Sequence, residues 1–309
     1  MDKGLLRGGI FGILAALASG TVPVLTSLLL RRDTDFVSIM FITTLLIILL
    51  VIRYIKATGR PMYLGLNNTL RISLLSIPLA CSSLLWAYSL ILVNAGVSTA
   101  IMFAFPLMIP LITTGVMHDR LNNGSFLGIL CGIIGIFFVG NHIIHGAGNS
   151  LFGVVSILGA AFLYAIYIVG VNRQSIYPLP VPTITLWSLI TFEVIFLIIS
   201  IIRWSFSIPT DLLSWVYIIL IASIPTLIVY PFHGYCTRYS GYTFTVVTNF
   251  LTPIATVFYC IILGQPITMS LMIGALIIAV AGAVVTGSRN LSRHIIRPTV
   301  LTPAKRHKR

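Results

Sequence analysis

A chain of 309 residues with 58% hydrophobic residues, 8% charged residues and a mean hydropathy of +1.05 has too little polar side chain to clothe a soluble domain. It therefore reads as an integral membrane protein. The net charge of +13 would suit a nucleic-acid partner, but the basic residues lie between and after apolar runs, not on one soluble face, which excludes that class.

Ten runs approach the roughly 20 apolar residues that a helix needs to cross a bilayer. In chain order they are approximately 8–30, 36–55, 70–92, 95–117, 124–142, 151–171, 183–203, 212–234, 241–263 and 269–288. All are too long and too evenly apolar for strands of alternating polarity, so the fold class is an all-α membrane bundle and not a barrel. The first run has no bounded small-residue cleavage site, so it reads as a retained span. Asn94 and its neighbours form the tight turn between the third and fourth runs. The Gly8/Gly12 and Gly128/Gly132 pairs have the small-xxx-small spacing of closely approaching helices, either ordinary packing or a dimer face. A Gly-rich stretch over 143–150 joins the halves, and 289–309 forms a basic tail, topogenic or in contact with anionic lipid headgroups.

A shift of 147 positions lays the stretch from Pro78 to Gly140 on that from Pro225 to Gly287. Tyr88 then meets Tyr235, Phe103 meets Phe250, Pro106 meets Pro253 and Gly135 meets Gly282. The weight of this alignment lies in its Pro and Gly matches, because these residues punctuate backbone. With the N-terminus inside, sixteen of the 19 Lys and Arg residues fall on the inner side. The outer exceptions are Arg31, Arg32 and Arg203. Five spans per half is an odd number, so the second half must be inserted upside down relative to the first. The expected organisation is ten transmembrane helices in two five-helix inverted-topology repeats, 1–142 and 151–288, followed by the tail.

Few residues carry chemistry. Glu193 is the acid in the middle of a span, where an ionised carboxylate costs a few kcal/mol, so it is either protonated or paired. It reads as a proton-coupling or cation-binding group, or as a protonated acid bonded to Ser188 or Thr191. Trp86 and Tyr88, their shifted partners His233 and Tyr235, and more weakly Tyr164, line a substrate path or form an interfacial aromatic belt. Asn249 is a buried amide suited to substrate or to an interhelical bond. Pro106, Pro110 and Pro253 make the fourth and ninth spans the expected bent elements beside that path, since each proline frees a backbone carbonyl. His142 and His145 have an i, i+3 spacing but no third ligand nearby, and no cofactor or metal is expected. Cys81, Cys131, Cys236 and Cys260 lie in apolar runs as small packing residues. No HExxH, GxSxG or Walker A sequence supports an enzyme.

Two sets of segments carry a family resemblance. The first half has Ala95-Gly96-Val97-Ser98-Thr99-Ala100, Phe105-Pro106-Leu107, His118-Asp119-Arg120-Leu121 and the stretch from Gly128 to Gly140. The second has Tyr242-Thr243-Phe244-Thr245-Val246-Val247, Leu251-Thr252-Pro253-Ile254, Gly264-Gln265-Pro266-Ile267 and the stretch from Gly274 to Gly287. The chain resembles two tandem EamA-type domains of the drug/metabolite transporter superfamily. Where that family usually carries a Glu after the Pro-bearing helix, this chain has Asp119 and Gln265. The resemblance implies a cell-membrane carrier with both termini cytoplasmic and a path enclosed mostly by helices other than the fifth and tenth. It implies a small organic solute as substrate, an amino acid or amphipathic metabolite, exported by alternating access. A channel or a lipid-flipping protein is the alternative. The expected partners are that solute and membrane lipids, with no nucleic acid, and the chain as monomer or homodimer.

Overall fold

The computed structural model describes residues 3–32, 35–117, 121–145, 150–173, 179–204, 206–265 and 267–292. It is all-helical, 87% helix, with no strand among the described residues. The helices are α1 (Lys3–Leu30), α2 (Phe36–Ala57), α3 (Leu66–Leu92), α4 (Ala95–Met102), α5 (Phe105–Met117), α6 (Asn123–His145), α7 (Leu151–Arg173) and α8 (Val181–Arg203). They continue as α9 (Leu212–Ser223), a π-helical turn (Ile224–Val229), α10 (Tyr230–Ser240), α11 (Tyr242–Asn249), α12 (Thr252–Ile262) and α13 (Met269–Ser292). Joined across their breaks, these segments make ten spans long and apolar enough to cross a membrane.

Several spans exceed their predicted limits. The first begins before Gly8, the third at Leu66, and the eighth runs on to Ser240. The predicted joint over 143–150 also shrinks, because α6 continues to His145. Polar residues such as Arg7, Asn67, Asn68 and Arg238 end an apolar run in sequence, but an α-helix satisfies its own backbone and can carry them beyond the hydrocarbon. Chain reversals have local causes. Asp35 caps α2 by accepting from the Ser38 N–H at 2.9 Å, Asn94 caps α4 by accepting from Val97 at 2.8 Å, and Asp211 caps α9 by accepting from Ser214 at 3.0 Å. At the position matching Asn94 stands Gly241, whose φ of 85° makes the same turn without a cap.

The helices pair in a pattern consistent with an inverted repeat. α2 packs on α8 and α6 on α13, so the second and seventh spans meet, as do the fifth and tenth. α3 packs on α7 while α1 packs on α9, the π turn and α10, which are the same contact seen from each half. Likewise α4 and α5 lean on α7, and α11 and α12 lean on α1. Two apolar cores result. One lies among α1, α2, α3, α8 and α9 around Leu29, Ile39, Phe196 and Ile218, the other among α4, α5, α6, α7, α12 and α13 around Val97, Val139, Ile157 and Ile278.

Glycines set how closely these helices approach. A Cβ on Gly274 of α13 would stand 2.8 Å from the Gly135 carbonyl and 2.9 Å from the Val139 nitrogen of α6. The Gly8 and Gly12 positions face Ser240 and Thr248, Gly128 faces Val285, and Gly132 faces Leu107. The small-xxx-small pairs therefore serve packing inside this chain. The four cysteines are free, as their apolar settings predict.

Candidate functional site

The fourth and ninth spans are interrupted, as their prolines predict. α4 stops at Met102 and α5 starts at Phe105, while α11 stops at Asn249 and α12 starts at Thr252. Pro106 and Pro253 are the second residues of α5 and α12, where a missing N–H costs nothing. They restart helices and do not kink them. Pro110 lies inside α5 and deprives the Pro106 carbonyl of its usual donor.

The two breaks meet. Phe103 and Phe250, which the 147-residue shift superposes, touch edge to face with centroids 6.0 Å apart. Residues equivalent under an inverted repeat contact each other only near its axis, so this pair marks the junction of the halves. Phe250 is 4% exposed and seats against Gly282, where a Cβ would lie 2.9 Å from its Cζ. From Phe103 the rings continue through Phe105 at 6.3 Å to Tyr164 at 4.7 Å and Tyr167 at 6.3 Å. Tyr164 was a candidate from sequence. The two phenylalanines were visible as aligned identities, but their contact was not.

The other aromatic candidates disperse. Trp86 is wedged between the two apolar cores. Tyr88, two residues on, points away, 42% exposed and 6.2 Å from Phe36 of α2. Tyr235 is 46% exposed and packs at 5.2 Å on Phe11 of α1. His233 is half-buried, and its Nε2 is buried without a hydrogen-bond partner among the described residues. Asn249 has a local partner, its Oδ1 accepting from Thr252 Oγ1 at 3.1 Å across the break in the ninth span.

Glu193 corrects one expectation. Both carboxylate oxygens are buried and have no hydrogen-bond partner among the described residues. The hydroxyls expected to hold it are engaged elsewhere: Thr191 Oγ1 donates to the Trp187 carbonyl at 2.9 Å, and Ser188 Oγ accepts from Ser76 Oγ at 2.8 Å. The reason is helical geometry. Thr191 follows the ordinary i−4 back-bond, and Ser188 faces α3, so neither hydroxyl turns toward the acid. Gln265, which stands where the family resemblance leads one to expect an acid, also buries an Oε1 that has no hydrogen-bond partner among the described residues. Asp119 lies outside the described residues, as do the side chains of His142 and His145. No group of three or more metal-ligating side chains occurs among the described residues.

At the end of the bundle holding the α1–α2 connection, two ion pairs cross between the halves. Arg32 Nη1 lies 2.7 Å from Asp211 Oδ2, and Arg203 Nη1 lies 3.0 Å from Asp35 Oδ1. The Ser207 N–H donates to Ser38 Oγ at 3.1 Å beside them. Two of the three arginines that broke the charge bias are thus bound to the acids that cap α2 and α9. The arginines and acids are visible in the sequence, but which pairs with which is a tertiary contact.

Residues 6–141 match the EamA-like transporter family. The ten apolar helices are consistent with a tandem EamA architecture. No curated protein matches the chain. A solved crystal structure shares the fold, with a TM-score of 0.62 at 16% identity over 93% of this chain and 99% of that one. The family match and the ten helices support a multi-pass membrane transporter of small solutes, and the family is one of transporters, not enzymes.

Proposed function

We propose that the protein is a secondary-active or facilitative carrier that exports an amino acid or similar amphipathic metabolite across the cell membrane, its two halves rocking around a site near the midplane and both termini cytoplasmic. The observation that carries this reading is the meeting of the two broken spans at Phe103 and Phe250. Broken helices expose unsatisfied backbone, which a membrane protein tolerates where it is buried or lines a solute path. The rings from Tyr167 to Phe250 offer flat apolar surface with hydroxyl edges, suited to an amphipathic solute and poorly suited to a polyanion. Glu193 supplies the coupling group, since a carboxyl without a partner in this state can take up a proton or a cation in another.

Counterflow in proteoliposomes tests the reading. Vesicles preloaded with unlabelled amino acids and amphipathic metabolites should accumulate labelled substrate transiently above equilibrium. Leak to equilibrium without overshoot would replace the carrier with a channel.

In this reading the ion pairs latch one face shut. Arg203→Gln keeps the Asp35 cap of α2 but removes one bond between the halves. It should raise labelling of a cysteine at position 103 by a membrane-impermeant maleimide about two- to fivefold, the range of a partly exposed pair. Unchanged labelling would mean that the pair does not hold this face. Ser214, and then Arg32, keep the Asp211 carboxyl below the ordinary carboxylate range. Its contribution is complete above that ordinary range and is lost only as pH falls through the lowered value, so labelling of the unmodified latch should stay flat from neutral to mildly acidic pH.

A further inference from the structure

We propose that the far end of α2, opposite the ion-paired face, is a binding site for one anionic phospholipid. Its phosphate would be held by Arg53 and Lys56, with one acyl chain along Leu49, Leu50 and Ile52. These five residues, all on α2, border a shallow depression of about 410 Å³ that is open to the surroundings. α2 turns Ile48, Val51 and Ile55 inward against Leu186 of α8. At helical spacing on its other side it presents Leu45, Leu49 at 56% exposure, Arg53 and Lys56. The stripe is apolar toward mid-span and cationic at the helix end, in the order of a phospholipid with its headgroup outward.

Charge makes the assignment specific. The acids among the described residues are Asp35, Glu193 and Asp211. Two of these are ion-paired at the opposite end and the third lies within α8, so neither Arg53 nor Lys56 has an ion-pair partner among the described residues. Arg60 adds a third cation in a connection held in place. Its N–H donates to the Ile55 carbonyl at 3.2 Å, which folds the chain back over the end of α2. Thr183 Oγ1 then donates to the Pro61 carbonyl at 2.7 Å, and Trp187 Nε1 to the Met62 carbonyl at 3.0 Å, so α8 pins the following residues. Arg53 and Lys56, without an acidic partner among the described residues and set above apolar side chains on a backbone that α8 holds in place, match a negatively charged headgroup. A zwitterionic lipid would bring its own cation to the same place.

The test uses the full chain in detergent, with phosphatidylglycerol or phosphatidylcholine of identical acyl chains as probes. Native mass spectrometry should retain one phosphatidylglycerol with at least about tenfold preference, since each cation near an anionic headgroup is worth about fivefold. Arg53→Gln together with Lys56→Gln should erase most of that preference, whereas Arg238→Gln on α10 should leave it intact. Equal retention of the two lipids by the unmodified chain would overturn the site. So would equal loss in the Arg238→Gln control, which would mean diffuse charge attraction. The preference of the unmodified chain decides the matter even if the double variant does not fold, and it needs no transport substrate.

Discussion

Glu193→Gln retains counterflow and loses accumulation driven by a pH gradient, by about tenfold or more. Glutamine keeps the size and polarity of the side chain but cannot release a proton, so exchange through the site survives while coupling does not. Gradient-driven uptake equal to that of the unmodified protein would return Glu193 to a structural role. A second substitution separates the roles without any substrate. Both carboxylate oxygens are buried without a hydrogen-bond partner among the described residues, on a helix whose Phe192 and Phe196 enter the first apolar core. A buried polar group without a partner costs about 1–3 kcal/mol, and an apolar replacement of similar size recovers part of that. Glu193→Leu should therefore raise the unfolding temperature in detergent while abolishing coupling. A lower unfolding temperature would mean that the acid holds helices together after all.

Gly274→Val is expected to be the most damaging single packing change, costing more than about 2 kcal/mol of stability. The added Cβ would press on the backbone of α6 at Gly135 and Val139, and backbone cannot swing aside as a side chain can. Hydrogen bonds also join α6 and the residue before it to α13 on either side of this point. Ser270 Oγ donates to the Phe138 carbonyl at 2.6 Å, and Asn122 Nδ2 donates to the Ser288 carbonyl at 3.1 Å. Forcing the helices apart would strain both. Gly115→Ala on α5 is the control, because nothing lies within 4 Å of a Cβ there. It should be neutral or stabilising by about 0.5–1 kcal/mol through reduced unfolded-state entropy. Equal unfolding temperatures for Gly274→Val and the unmodified chain would show that α6 and α13 separate freely.

How far the site was legible depended on whether a feature is local. Pro106 and Pro253 mark the broken spans in the sequence because a missing N–H acts on the residue's own helix. Asn94 marks its turn for the same kind of reason. The Glu193 surroundings are not legible locally, because Ser188 and Thr191 are near it in sequence but bond on other faces of α8. Tyr88 and Trp86 looked like a pair, but a helix advances about 100° per residue and sends neighbours two apart to opposite sides. The π-helical turn at Ile224–Val229 had a signal in Pro225, yet Pro78, its shifted counterpart, sits inside an unbroken α3. One proline thus has two outcomes, set by what packs around it.

By itself the sequence determined the membrane class, the ten spans, the all-helical architecture and the breaks in two of those spans. Composition, hydrophobic run length and proline act along the chain, and the bilayer leaves a polypeptide few ways to satisfy its backbone. Only the tertiary structure decided which groups meet across the halves: Phe103 with Phe250, Arg32 with Asp211, Arg203 with Asp35, and the Gly274 backbone with Gly135. It also decided that the Glu193 carboxylate meets no hydrogen-bond partner among the described residues. Such contacts join residues far apart in the chain, and their geometry follows from helix rotation and register, which a one-dimensional pattern of apolar residues leaves open.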